Sequence, residues 1–137
     1  MFYYIVVYIL GPNDNEFRHF HGKKNFTEAK ENCIADGGNL AILGTMELME
    51  FARKKFGSTW VRTWIGATDM ETEGVWKWID GSKIQLPKWE NGQPNGDIQE
   101  NGLVFSRGMF RDLDCQHSLR YLCERRRISN RVCTVVP

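Results

Sequence analysis

Gln93, Asn95, Glu100 and Asp112 bring four side chains with oxygen donors into one short stretch, the first two flanking Pro94 and the last closing Phe110-Arg111-Asp112. Amide and carboxylate oxygens are what a hard cation such as Ca²⁺ takes, at roughly six to eight per ion. Pro94 matters because an X-Pro bond adopts the cis form at modest cost, which turns two nearby side chains toward one point. Composition alone also fits a Gly/Pro/Asn surface turn. Catalytic patterns are missing: the chain has no Gly-x-Ser-x-Gly, no His-Glu-x-x-His and no Gly-rich phosphate loop. His19, His21 and His117 show no paired-ligand spacing, so no enzyme is expected.

These donors need elements to hold them. Asn25 is placed to cap a helix starting at Phe26, with Glu28 completing a capping box and Phe26, Ala29, Cys33 and Ile34 on one face. Gly37-Gly38 ends it. Thr45 is expected to cap a second helix, with Leu48, Met49, Ala52 and Phe56 as its buried stripe and Gly57 as its stop. Short strands follow at 62–66, 74–79, 102–105, 108–112 and 119–124, separated by Gly, Pro and Asn. Helices followed by strands make an α+β arrangement. The stretch 80–99 has few strand signals, and so long a loop in a compact domain is usually functional or disordered.

The length, 137 residues with 42% hydrophobic, suits one domain with one core. A net charge of +1 gives no overall field to steer nucleic acid or an anionic membrane. The basic run Arg125-Arg126-Arg127 with Arg131 reads as a solvated tail rather than a heparin-like site. Residues 1–10 are apolar but too few to span a bilayer, and they read either as an edge strand or as a clipped signal or anchor. Cys33, Cys115, Cys123 and Cys133 include no Cys-x-x-Cys pair, which argues for disulfides in an oxidising compartment and leaves three pairings open. Asn25-Phe26-Thr27 is also a glycosylation sequon, and a capping Asn is a poor acceptor.

From Phe17 to Glu124 an ordered series of motifs resembles the C-type lectin-like domain. Asn25-Phe26-Thr27-Glu28-Ala29 with Cys33, Gly37-Gly38 and Leu40-Ala41 is similar to the family's first helix and the strand after it. Trp64-Ile65-Gly66, Trp76-Lys77-Trp78 with Asp80-Gly81, Lys88-Trp89, the Gln-Pro-Asn triplet, Phe110-Arg111-Asp112, Cys115 and Tyr121-Leu122-Cys123-Glu124 complete the order. The resemblance implies an α+β C-type lectin-like fold, with two helices packed on small antiparallel sheets and a long irregular loop carrying the site. It divides the chain into an N-terminal segment 1–16, a carbohydrate-recognition domain 17–124 and a basic tail 125–137. It also implies a secreted or cell-surface protein that binds hexose glycans through Ca²⁺ held by Gln93, Asn95, Glu100 and Asp112.

The same resemblance joins Cys33 to Cys123, and closing so long a loop is worth roughly 4–5 kcal/mol in the entropy model. Cys115 loses its family partner, because Gly102 stands at that position. It is left to pair with Cys133, to stay free, or to bridge a second chain, so a disulfide-linked oligomer is one expectation. Arg111 replaces the Asn of the family's Trp-Asn-Asp motif and cannot ligate a metal. It either points away from the ion or pairs with Glu100 and Asp112 in its place, and the second case suits a calcium-independent module that binds protein. An auxiliary cation site resembling that of collectin-like members would use Asp69, Glu73 and Asn101, with Asp97 available where Gly96 supplies nothing; the rival is a surface turn. Glu-Pro-Asn resembles mannose-type binders and Gln-Pro-Asp galactose-type binders, so Gln-Pro-Asn selects neither. Trp76, Trp78 and Trp89 are expected in the core more than against a sugar face.

Overall fold

The computed structural model describes residues 8–56, 61–85, 89–95 and 101–127. Glu100, Gly96, Asp97, Gly57, Lys88, Cys133, Arg131 and the first seven residues lie outside them.

Helix α1, Phe26–Ala35, starts where the capping residues predict. Asn25 Oδ1 accepts from the Glu28 N–H at 2.9 Å, and Glu28 Oε1 accepts from the Asn25 N–H at 3.2 Å, which satisfies two donors that a helix start leaves unpaired. It stops because Gly37, at φ +92°, takes a left-handed conformation unfavourable to a residue with a Cβ. That turn lets the Gly38 N–H reach the Cys33 carbonyl and the Gly37 N–H reach the Ile34 carbonyl, a Schellman closure. Phe26, Ala29 and Cys33 are buried, whereas Ile34 is 52% exposed and does not share their face as expected. It follows Cys33 by one residue, about 100° further round the helix.

Helix α2, Met46–Phe56, is capped by Thr45, whose Oγ1 accepts from the Leu48 N–H at 3.1 Å. Leu48, Met49 and Ala52 are buried, and Phe56 packs half-buried against the same cluster.

Among the described residues, eight strands form one hydrogen-bonded sheet. They are β1 (Ile9–Leu10), β2 (Asn15–Lys24), β3 (Asn39–Leu40), β4 (Thr63–Thr68), β5 (Lys77–Trp78), β6 (Gly102–Ser106), β7 (Met109–Leu113) and β8 (Leu119–Arg126). The order is β1-β2-β8-β4-β6-β7, with β3 on β8 and β5 on β4. All pairs are antiparallel except β4 with β8, so one mixed sheet stands where small antiparallel sheets were expected. The strand expected at 74–79 shortens to Lys77–Trp78. Strand β1 gives the edge-strand reading of the N-terminus its support at Ile9 and Leu10.

Cys33 and Cys123 are bonded, with Cα atoms 5.4 Å apart and 90 residues between them, tying α1 to β8. Trp64, fully buried, meets Phe26 edge-on at 5.4 Å, and its indole N–H lies 3.2 Å from the carbonyls of both Lys24 and His117. Trp76 and Trp78 are buried as the sequence predicts; Trp89 is half-buried against Trp76 and Phe110.

Candidate functional site

Strand β7 carries the site because its residues alternate. Phe110 and Asp112 are buried, and Met109, Arg111 and Leu113 are half-buried on the other face, the two-residue period of a strand. The loop before β6 is laid along β7: Trp89 forms a parallel bridge with Phe110, and the Glu90 N–H donates to the Phe110 carbonyl at 2.8 Å. A turn closed by the Gln93 N–H on the Glu90 carbonyl leads into the Gln93-Pro94 bond, which is cis. Asn95 then donates its backbone N–H to Asp112 Oδ1 at 3.2 Å, and the Asp112 N–H donates to Gln93 Oε1 at 3.4 Å. These contacts bring the Gln93 side chain and the Asn95 backbone against Asp112 at the sheet edge. Glu100 lies outside the described residues.

Arg111 faces away from Asp112. Its guanidinium is 3.6 Å from the Glu90 carboxylate, each side chain being less than a quarter exposed. Glu90 was not singled out from the sequence; its only signal there is its place beside Trp89, one residue along the chain.

The second expected cluster sits where β4 meets β6. Thr68 pairs with Gly102 in antiparallel register, so Asp69 follows the end of β4 and Asn101 precedes the start of β6 at the same end of the pair. Asp69 is 3% exposed; its Oδ2 accepts from the Gly74 N–H at 3.0 Å, which closes the turn holding Glu73. The other oxygen, Oδ1, and the Asn101 Oδ1 are both buried with no hydrogen-bond partner among the described residues. Buried acceptors of this kind are rare without a ligand or an ordered water.

Cys115 is half-buried and unbridged among the described residues. Burial, then the negative charges of Asp114 and Asp69, push its thiol up to about 11. A Cβ built on Gly102 falls 3.1 Å from the Cys115 sulfur, so these two positions are neighbours as the resemblance implies, and 2.5 Å from the Trp64 ring.

The chain matches the family model described as the lectin C-type domain over residues 22–125. It is 36% identical to human C-type lectin domain family 3 member A over 110 residues, covering 75% of this chain and 55% of that protein. It is 35% identical to human tetranectin over 118 residues, covering 79% of this chain and 58% of that protein. The chain thus spans a little over half the length of these curated relatives. Among solved structures it is similar to the carbohydrate-recognition domain of the mouse scavenger receptor C-type lectin, with TM-score 0.79 and 28% identity over 85% of this chain and 91% of that one. A calcium-independent type II antifreeze protein shares the fold, with TM-score 0.81 and 21% identity over 92% of this chain and 96% of that one. The protein belongs to the C-type lectin domain family, whose members are binding modules.

Ca²⁺ is the metal this family commonly uses. Among the described residues no three His, Cys, Asp or Glu converge on one point. The donors present are of the right kind all the same: amide and carboxylate oxygens, two of them buried and without hydrogen-bond partners.

Proposed function

We propose that this domain binds hexose-containing glycans through Ca²⁺ held by Gln93, Asn95, Glu100 and Asp112. The observation that carries the reading is the pair of contacts between the cis-proline loop and Asp112, which gathers three of these residues at one edge. Ca²⁺, when bound, would share its coordination with a vicinal diol of the sugar. The protein's own part is to orient that diol, with carboxylates accepting and amide groups donating hydrogen bonds. Asp69, Glu73 and Asn101 would hold an auxiliary cation, a role supported by the unpartnered Asp69 and Asn101 oxygens. Binding is the whole activity, with no catalytic step. Residues 17–124 act as the recognition domain, on a protein exported to the extracellular side.

A second reading is a calcium-independent module that binds a protein surface. The ion pair of Arg111 with Glu90 favours it, since it stabilises the loop without a metal. Calorimetric titration with Ca²⁺, then with mannose and galactose, tests the first reading. A Glu100→Gln change should weaken metal and sugar binding together. No shift in melting temperature at millimolar Ca²⁺ would move the assignment to the second reading.

A further inference from the structure

The chain has a net charge of only +1, yet five of its cations line two neighbouring cavities. Two cavities, about 510 and 330 Å³, open on the sheet end formed by β4, the β6–β7 turn and the start of β8. The larger is lined by Arg62, Arg107 and Arg111, the smaller by Lys23, Arg62 and Arg120, so Arg62 joins them. Among the described residues Glu90 is the one carboxylate lining either cavity, and it is paired with Arg111.

Beside each cavity lies a buried donor without an acceptor: the Nε–H of Arg111, a residue lining the larger, and that of Arg120, a residue lining the smaller, have no hydrogen-bond partner among the described residues. A buried guanidinium N–H lacking an acceptor is costly, and a sulfate or carboxylate oxygen is the group that matches its fork. Arg107 is held at φ 54°, a left-handed conformation unfavourable to an arginine, at the tip of the β6–β7 hairpin. With Gly108 at φ 78° it makes the two-residue turn that joins β6 to β7 and leaves the Arg107 side chain exposed at the hairpin tip.

We propose that these two cavities, bridged by Arg62, form a calcium-independent site for a sulfated, carboxylated polysaccharide. Two basic cavities in a row suit a linear polymer with repeated negative charges better than one isolated anion. The Cys33–Cys123 disulfide argues for an oxidising, extracellular setting, where sulfated polysaccharides rather than nucleic acids are met. The site uses none of the oxygen donors assigned to calcium, and Arg125, Arg126 and Arg127 do not line it.

The test is calorimetry of the full chain in EDTA with a heparin-derived oligosaccharide, at two salt concentrations. The same chain desulfated, inorganic sulfate, and single-stranded DNA of equal charge serve as comparisons. Binding is expected to weaken with salt and to fall roughly tenfold or more on desulfation. An Arg62→Gln/Arg107→Asn double change should cause a similar loss; both side chains are exposed, and Asn tolerates the left-handed position, so the fold is spared. An Arg126→Gln/Arg127→Gln pair should leave affinity unchanged. The proposal is overturned if nothing binds, if the desulfated chain, inorganic sulfate or DNA binds as tightly, or if the tail pair abolishes binding while the double change does not.

Discussion

Arg111 and Asp112 are adjacent in sequence and opposed in space, because successive strand residues point to opposite faces. The arginine therefore departs from the family pattern without entering the cluster of Gln93, Asn95 and Asp112, and its charge is met by Glu90. An Arg111→Asn protein should bind Ca²⁺ somewhat more tightly, since it removes a nearby positive charge. It should also lose some stability without calcium, because Glu90 loses its partner; titration and melting with and without Ca²⁺ check both effects. At Gly102 the neighbours decide between two substitutions. Gly102→Ala should destabilise by roughly 1–3 kcal/mol, as its Cβ meets the Trp64 ring. Gly102→Cys carries the same clash and can also bond Cys115, so its oxidised form should unfold at higher urea than its reduced form. The loop closed is worth about 3 kcal/mol in the entropy model, and intact mass with thiol counting identifies the bond.

Helix α1 shows an element secured at both ends by local chemistry, the capping box at Asn25 and Glu28 and the glycine closure at Gly37. Replacing Asn25 with Ala should cost about 1 kcal/mol in urea unfolding, and replacing it with Asp only a few tenths, since a carboxylate also accepts from the Glu28 N–H. Strand β2 shows the opposite case. Its ten residues read mostly polar and charged, with exposed His21, Gly22 and Lys23; the alternation of His19 and His21 marks a strand there, but the weak hydrophobic periodicity does not give its length. Backbone pairing with β8 sets it. The long loop belongs to this scale too, because beyond its own Glu90–Gln93 turn its described residues bond to β7.

Across the whole molecule, acid should act on the face where β2 covers the sheet. His19 is held down to about 4 by burial first, then by the nearby His21 and Arg120, and its Nε2 lies 3.0 Å from Thr63 Oγ1. The unfolded chain, with a histidine near 6.5, takes up this proton before the folded one does. The contribution is therefore complete above about pH 6.5 and is lost as pH falls toward 4. The melting temperature of the parent should drop through that window, and a His19→Gln protein, which retains a group able to bond Thr63, should drop less. The disulfide works at this scale as well: converting Cys33 and Cys123 together to Ala should cost about 4–5 kcal/mol, read from urea unfolding.

Local signals and an ordered set of motifs were enough to read the two helices, their caps, the α+β class, the family and the Cys33–Cys123 bond from the residues alone. Caps and glycine stops act over a few positions, and motif order is itself a property of the chain. What those residues could not announce was set by long-range pairing: the single mixed sheet with β4 parallel to β8 and the full length of β2 along β8. The same holds for the two electrostatic outcomes that matter most to function. Arg111 is separated from Asp112 and paired with Glu90 only once the loop is laid on β7, and Arg62, Arg107, Arg111 and Arg120 become one basic surface only when β4, the β6–β7 turn and β8 meet. A charge's effect depends on its distance and burial, and the fold, not the order of residues, sets both.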